Sequence, residues 1–177
     1  PQDFLAGGTD AVAARLRDPT QRDILRERIA HGRDFDNIAQ MVGWDNIRLT
    51  TLHRPEFQPL TGKTLAEAAR LLGLEPVDCL CHVLAEEACN VTMIDFTCDE
   101  DIGRILRAPF ASVISDSLYP TEGLPHPRVY GTFSRILETF VRERHVLTLP
   151  EAVQRMTALP AQVLRLRGKG RIAAGMD

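Results

Sequence analysis

No stretch of these 177 residues is apolar for the roughly 20 positions that a membrane-spanning helix needs. Nor is there an excess of positive charge. The 21 Lys and Arg stand against 24 Asp and Glu, giving a net charge of −3 and a pI near 6.0. A nucleic acid needs a basic face to meet its phosphates and an anionic membrane surface needs the same, so neither partner is expected. The opening Pro1-Gln2-Asp3-Phe4 lacks the basic and apolar regions of a secretory leader, and internal repeats and low-complexity tracts are absent. These absences together predict a soluble, cytoplasmic protein.

Cysteine is sparse and clustered, at Cys79, Cys81, Cys89 and Cys98. Cys79 and Cys81 are separated by one residue, whereas a zinc hairpin uses two to four. Residues 76 to 88 read as a helix on which those two side chains diverge. Buried or half-buried free thiols are therefore expected, with no metal knuckle and no disulfide framework. The five histidines, His31, His53, His82, His126 and His145, are scattered, and no two are spaced as His-x-His.

At 44% hydrophobic, the chain can build a proper core. Its punctuation predicts a mainly helical α+β structure. Thr9 could cap a first helix ending near Leu16, and Asp18-Pro19 starts a second through about Ile29, with Leu16, Ile24, Leu25 and Ile29 as a buried stripe. A short helix follows over about Asp36 to Met41, stopped by Gly43. Residues 47 to 52 alternate and are rich in β-branched side chains, as in a strand. Thr64 caps a helix stopped by Gly73, and Glu75-Pro76 starts its partner, with Val77, Leu80, Leu84 and Ala88 on one face.

Residues 91 to 96 form a second strand candidate. A helix capped near Cys98 or Asp99 follows, with Ile102, Ile105 and Leu106 as buried positions, and Pro109 ends it. The apolar run from Phe110 to Ser115 reads as a strand covered on both faces. Strand, helix, strand in this order predicts a βαβ unit with two parallel strands and functional loops at their carboxyl ends. A proline-rich loop to Arg128 leads into a helix from about Tyr130 to Arg144. Thr148 and Glu151 supply a capping box for the next helix, Leu159-Pro160 opens a final helical turn, and residues 167 to 175 read as turns around a short strand.

Asp116 stands immediately after the apolar run. A carboxylate there can accept a proton from water and return it to a departing nitrogen, but a lone Ser-Asp pair also serves as a turn or a cap. The segment that follows, His126-Pro127-Arg128-Val129-Tyr130, combines an imidazole, a guanidinium and a phenol in one loop. Arginine suits a carboxylate because its planar fork makes two parallel hydrogen bonds. The plainer reading has Arg128 capping a helix or pairing with Glu122 and His126 merely packing. From the residues alone, both readings stand.

Ser115-Asp116-Ser117 followed by Pro125-His126-Pro127-Arg128-Val129-Tyr130-Gly131-Thr132-Phe133 resembles the D-aminoacylases, or N-acyl-D-amino-acid deacylases, of the amidohydrolase superfamily. The resemblance continues in Arg15-Leu16-Arg17-Asp18-Pro19, Gly43-Trp44-Asp45-Asn46-Ile47, Gly62 to Ala69, and Leu149-Pro150-Glu151-Ala152-Val153 with Arg155-Met156-Thr157. It implies a zinc-dependent (β/α)₈ hydrolase acting on small N-acyl-D-amino acids. In such an enzyme Asp116 would be the catalytic acid/base, Arg128 would hold the substrate α-carboxylate, Tyr130 would shape the loop and His126 would support it. The family's His-x-His pair and further metal ligands have no counterpart here, and the barrel needs about 250 residues. A C-terminal fragment is therefore expected, inactive alone, with zinc held mostly by residues outside it. Residues 1–90 would be a helical insertion or lid, 91–166 the last βα units, and 167–177 the start of a small β-domain. The uncovered strand at Phe110, Val113 and Ile114 predicts self-association as a homodimer. Two alternatives remain, a non-catalytic helical interaction module and a cyclic amidohydrolase resembling hydantoinases or dihydroorotases.

Overall fold

The computed structural model describes residues 1–87, 92–94, 96–119 and 121–176. Ala88, Val91 and Asp95, which enter the sequence reading as helix or strand positions, and Cys89, expected to be a buried or half-buried thiol, lie outside the described residues. The chain divides into two compact units, Pro1–Phe96 with Pro120–Pro125, and Thr97–Tyr119 with His126–Asp177.

The first unit contains α1 (Gly8–Arg17), α2 (Pro19–His31), α3 (Ile38–Val42), β1 (Ile47–Leu49), α4 (Leu65–Leu72), α5 (Pro76–Glu86) and β2 (Thr92–Ile94). Asp18 caps α2 by accepting from Thr20 N with Pro19 at the first turn, and Asn37 caps α3. At α4 both halves of a capping box form, Thr64 accepting from Glu67 N while the Glu67 carboxylate accepts from Thr64 N. The first helix departs from expectation. It starts at Gly8 behind a left-handed Gly7, with no side-chain cap from Thr9.

Helix α5 is buried on two sides. Cys79 faces a cluster with Leu49, Phe57, Leu65 and Val83, whereas Cys81 faces Phe4, Leu16, Leu25 and Ala85. The divergence of the two thiols on the helix thus places them in separate cores. Leu80 and Leu84, expected to be buried, are only partly covered, and Ile24 is exposed. Strand β1 pairs antiparallel with β2, Ile47 opposite Ile94 and Leu49 opposite Thr92.

The second unit is helical: α6 (Asp99–Arg107), α7 (Arg128–Arg135), α8 (Leu149–Met156) and α9 (Ala158–Val163). Helix α7 runs directly into a π-helical segment, Ile136–Glu143, a form otherwise met mostly as single turns. Phe140 from that segment is 1% exposed and packs with Leu106, Val113, Ile136, Leu147 and Ala152. Asp99 joins α6 to this helix by accepting from Arg135 at 2.6 Å and Arg144 at 3.0 Å. The Thr148–Glu151 capping box forms at α8 as read.

Two expected strands are absent from the second unit. Residues 110–115 form no strand, so the βαβ unit and its parallel pair do not exist among the described residues. A parallel strand needs a neighbouring strand, and the described sheet is the β1–β2 pair alone. Here Val113 is buried, Val113 N donates to Arg155 O, and the Arg155 guanidinium donates to Ala108 O and Ala111 O. Phe110 and Ile114 are left exposed. Residues 167–175 likewise contain turns without a strand, and Ile105 of α6 points to solvent. The mainly helical character is as read.

Candidate functional site

Asp116 ends the irregular segment that follows Val113, with a left-handed backbone (φ 49°) that few residues other than glycine, asparagine and aspartate adopt. Its carboxylate is 78% exposed and lies 3.1 Å from Arg128 Nη1. Arg128 opens α7, and its Nε is buried without a hydrogen-bond partner among the described residues. The guanidinium therefore spends one nitrogen on Asp116 while its fork keeps further donors. Glu122, weighed as a partner for Arg128, instead lies 3.7 Å from His53.

Backbone bonds hold the loop in this shape. Ser117 Oγ and Thr132 Oγ1 both donate to Arg128 O, at 3.0 and 2.9 Å. His126 Nδ1 accepts from Arg128 N at 3.1 Å, which ties the imidazole into the turn. Tyr130 is exposed and stands edge-on to Tyr119, with ring centroids 6.5 Å apart. All four candidate residues lie in the second unit, and the structure brings Asp116, His126 and Arg128 together. Tyr130 projects its ring toward Tyr119 beside them.

Among the described residues no three His, Cys, Asp or Glu side chains converge to hold a metal ion. A catalytic zinc takes at least three protein ligands, so these residues by themselves do not fit one. The Cys79 and Cys81 thiols are pushed up to about 11 by burial, which keeps them protonated and poor as ligands.

The sequence reading passed over three further features. Glu87 is buried, and its two carboxylate oxygens accept from His53 N and Arg54 N at 2.8 and 2.9 Å. A polar cleft of about 280 Å³ is lined by Thr50, Thr51, His53, Gln58, Thr61 and Glu122. Arg155 is the third, a buried guanidinium in a helix whose sequence spacing gives no sign of its burial.

No family model matches the chain. Over 133 residues, 74% of the chain, it is 41% identical to an N-acyl-D-glutamate deacylase of Alcaligenes xylosoxydans xylosoxydans, and this covers 25% of that protein. A D-aminoacylase of the same organism is 36% identical over 120 residues, 67% of the chain and 24% of the relative. Among solved structures, an N-acyl-D-glutamate deacylase from Bordetella bronchiseptica, complexed with zinc and a phosphonate inhibitor, matches with a TM-score of 0.61 and 36% identity. That match covers 77% of this chain and 27% of the other. A D-aminoacylase described as defining a novel subset of amidohydrolases matches with a TM-score of 0.58 and 29% identity, covering 73% and 26%.

The fold over the matched residues is thus shared with amidohydrolases. Within that class the chain is homologous to a segment of the N-acyl-D-amino-acid deacylases. It spans about a quarter of the length of the curated relatives it matches.

Proposed function

We propose that a polypeptide carrying this segment hydrolyses the amide bond of N-acyl-D-amino acids. Asp116 accepts a proton from water as its oxygen bonds to the amide carbon, then delivers that proton to the nitrogen as the C–N bond breaks. Arg128 holds the α-carboxylate of the substrate, Tyr130 shapes the entrance and His126 supports the loop. The observation that carries the reading is the 3.1 Å approach of Asp116 and Arg128. A carboxylate gripped by the guanidinium lies beside the group that moves the proton.

The zinc activation that the resemblance implies requires ligands from other parts of a longer chain, so the 177 residues alone are inactive in this reading. The same proposal makes residues 1–90 an insertion or lid, 91–166 the closing part of a (β/α)₈ barrel, and 167–177 the entry to a small β-domain.

The test is turnover of N-acetyl-D-glutamate, N-acetyl-D-aspartate and a neutral N-acetyl-D-amino acid by the full-length gene product. Loss of turnover in Asp116→Asn and a raised KM in Arg128→Lys are expected. Full activity of Asp116→Asn overturns the role of that carboxylate, and hydrolysis of cyclic amides alone favours the hydantoinase-like alternative.

A further inference from the structure

In the 177-residue chain residues 111–119 carry neither helix nor strand, so contacts from elsewhere in the second unit set the position of Asp116. On the amino-terminal side the anchors converge on one residue of α8. Arg155 Nη1 donates to Ala108 O at 2.5 Å and to Ala111 O at 2.9 Å, and Arg155 O accepts from Val113 N at 3.0 Å. Arg155 is 8% exposed and, among the described residues, makes no ion pair with a carboxylate. Its Nε is buried without a hydrogen-bond partner.

Burying a guanidinium is costly unless hydrogen bonds replace its water. Here the donors are spent on main-chain carbonyls of a single irregular segment, and no acidic side chain takes them. A helix residue whose role was only to fill the core would be served by leucine or methionine. The combination of two carbonyls gripped by the side chain and one amide taken by its own backbone fixes three points of the chain just ahead of Asp116. Beyond Asp116, Ser117 Oγ closes the other side by donating to Arg128 O.

We infer that Arg155 is a positioning residue for the Asp116 carboxylate. It acts through the 108–113 segment and touches no substrate. This rests on the role given to Asp116 above, and a misplacement of about 1 Å at a reacting group can cost on the order of a hundredfold in rate.

The test has two readouts. In the 177-residue chain, amide exchange of residues 111–117 is compared in wild type, Arg155→Met and Arg155→Lys. Charge-assisted hydrogen bonds are lost in the methionine variant, so exchange at Ala111 and Val113, whose amides donate to Ala108 O and Arg155 O, should accelerate by about tenfold or more. Amides of the helix bearing Phe140 should be unchanged. Lysine keeps the charge without the planar fork and should restore protection partly. In the full-length gene product, Arg155→Met should lower kcat by about a hundredfold with KM nearly unchanged, and Arg155→Lys should recover part of it.

Unaltered exchange at 111–117, or equal loss of protection throughout the second unit, overturns the inference. Should the methionine variant fail to fold, the lysine variant decides by the same criteria. Failure of the parent reading looks different: Asp116→Asn then keeps full turnover while the exchange effect of Arg155 persists. Loss of turnover in Asp116→Asn, combined with normal kcat and exchange in Arg155→Met, sinks the positioning role alone.

Discussion

Asp116 and Arg128 meet as carboxylate and guanidinium at 3.1 Å, the first at the end of an unpaired segment and the second at the start of a helix. The Asp116 side chain is largely exposed, so the pair is screened and contributes only about 0–1 kcal/mol to folding. Asparagine is nearly the same shape and tolerates a left-handed backbone. Asp116→Asn is therefore expected to change unfolding free energy by less than about 1 kcal/mol in urea titration. A larger loss would mean that the carboxylate holds the loop together, and any activity defect would then be structural.

The capping boxes make a pH-dependent contribution whose sign is fixed. The Glu67 carboxyl is held below its ordinary value, first by the backbone hydrogen bond from Thr64, and Glu151 is held down in the same way by Thr148. A lowered folded-state value stabilises above the unfolded value, and that contribution disappears as pH falls through the folded one. Fraying at the start of α4 and α8 is thus expected only under acid, below the usual glutamate range. Carboxyl chemical shifts check this, with Thr64→Ala moving the Glu67 titration upward and destabilising by roughly 1 kcal/mol.

Buried thiols behave in the opposite sense. Cys79 and Cys81, each pushed up to about 11 by desolvation, remain protonated in the folded chain at pH 8, whereas Cys98 is exposed. Iodoacetamide under native conditions should label Cys98 and spare Cys79 and Cys81, with both reacting once denaturant is added. Their contribution to stability is complete below the unfolded thiol value and is lost as pH rises toward about 11. Native labelling of either thiol at the rate of Cys98 would contradict the burial.

Leu65 is fully buried, and Trp44 packs against the same cluster. Leu65→Ala should cost about 2–5 kcal/mol, from lost apolar contact and the cavity left behind. Tryptophan fluorescence during denaturation reports this directly, because Trp44 is the sole tryptophan. A shift below about 1 kcal/mol would show that the site collapses around the smaller side chain.

Phe110, Ile114, Leu118 and Tyr119 are all more than two-thirds exposed within one segment. Apolar surface of that kind favours association. Sedimentation velocity is expected to show a dimer that weakens in a Phe110→Ser, Leu118→Ser double variant. A monomer at every concentration would oppose the homodimer.

What could be read in the sequence was chemistry decided within a few residues. Asp18 before Pro19, Thr64 with Glu67, Thr148 with Glu151, and Gly73 after α4 each mark a helix end, because the partner group is always one turn away. Between Asp116 and Arg128 the residues alone left two readings open, and the approach of the two side chains is set by the fold, since Pro120–Pro125 between them belong to the other unit.

Tertiary structure alone decided the rest. The apolar run at Phe110 to Ser115 has the composition of a buried strand, yet a strand exists only where another offers its carbonyls and amides. Arg155 supplies those bonds instead, from a helix far along the chain. Likewise β1 takes β2 as an antiparallel partner. Pairing of this kind depends on which groups arrive together in space, and no local pattern of side chains carries that information.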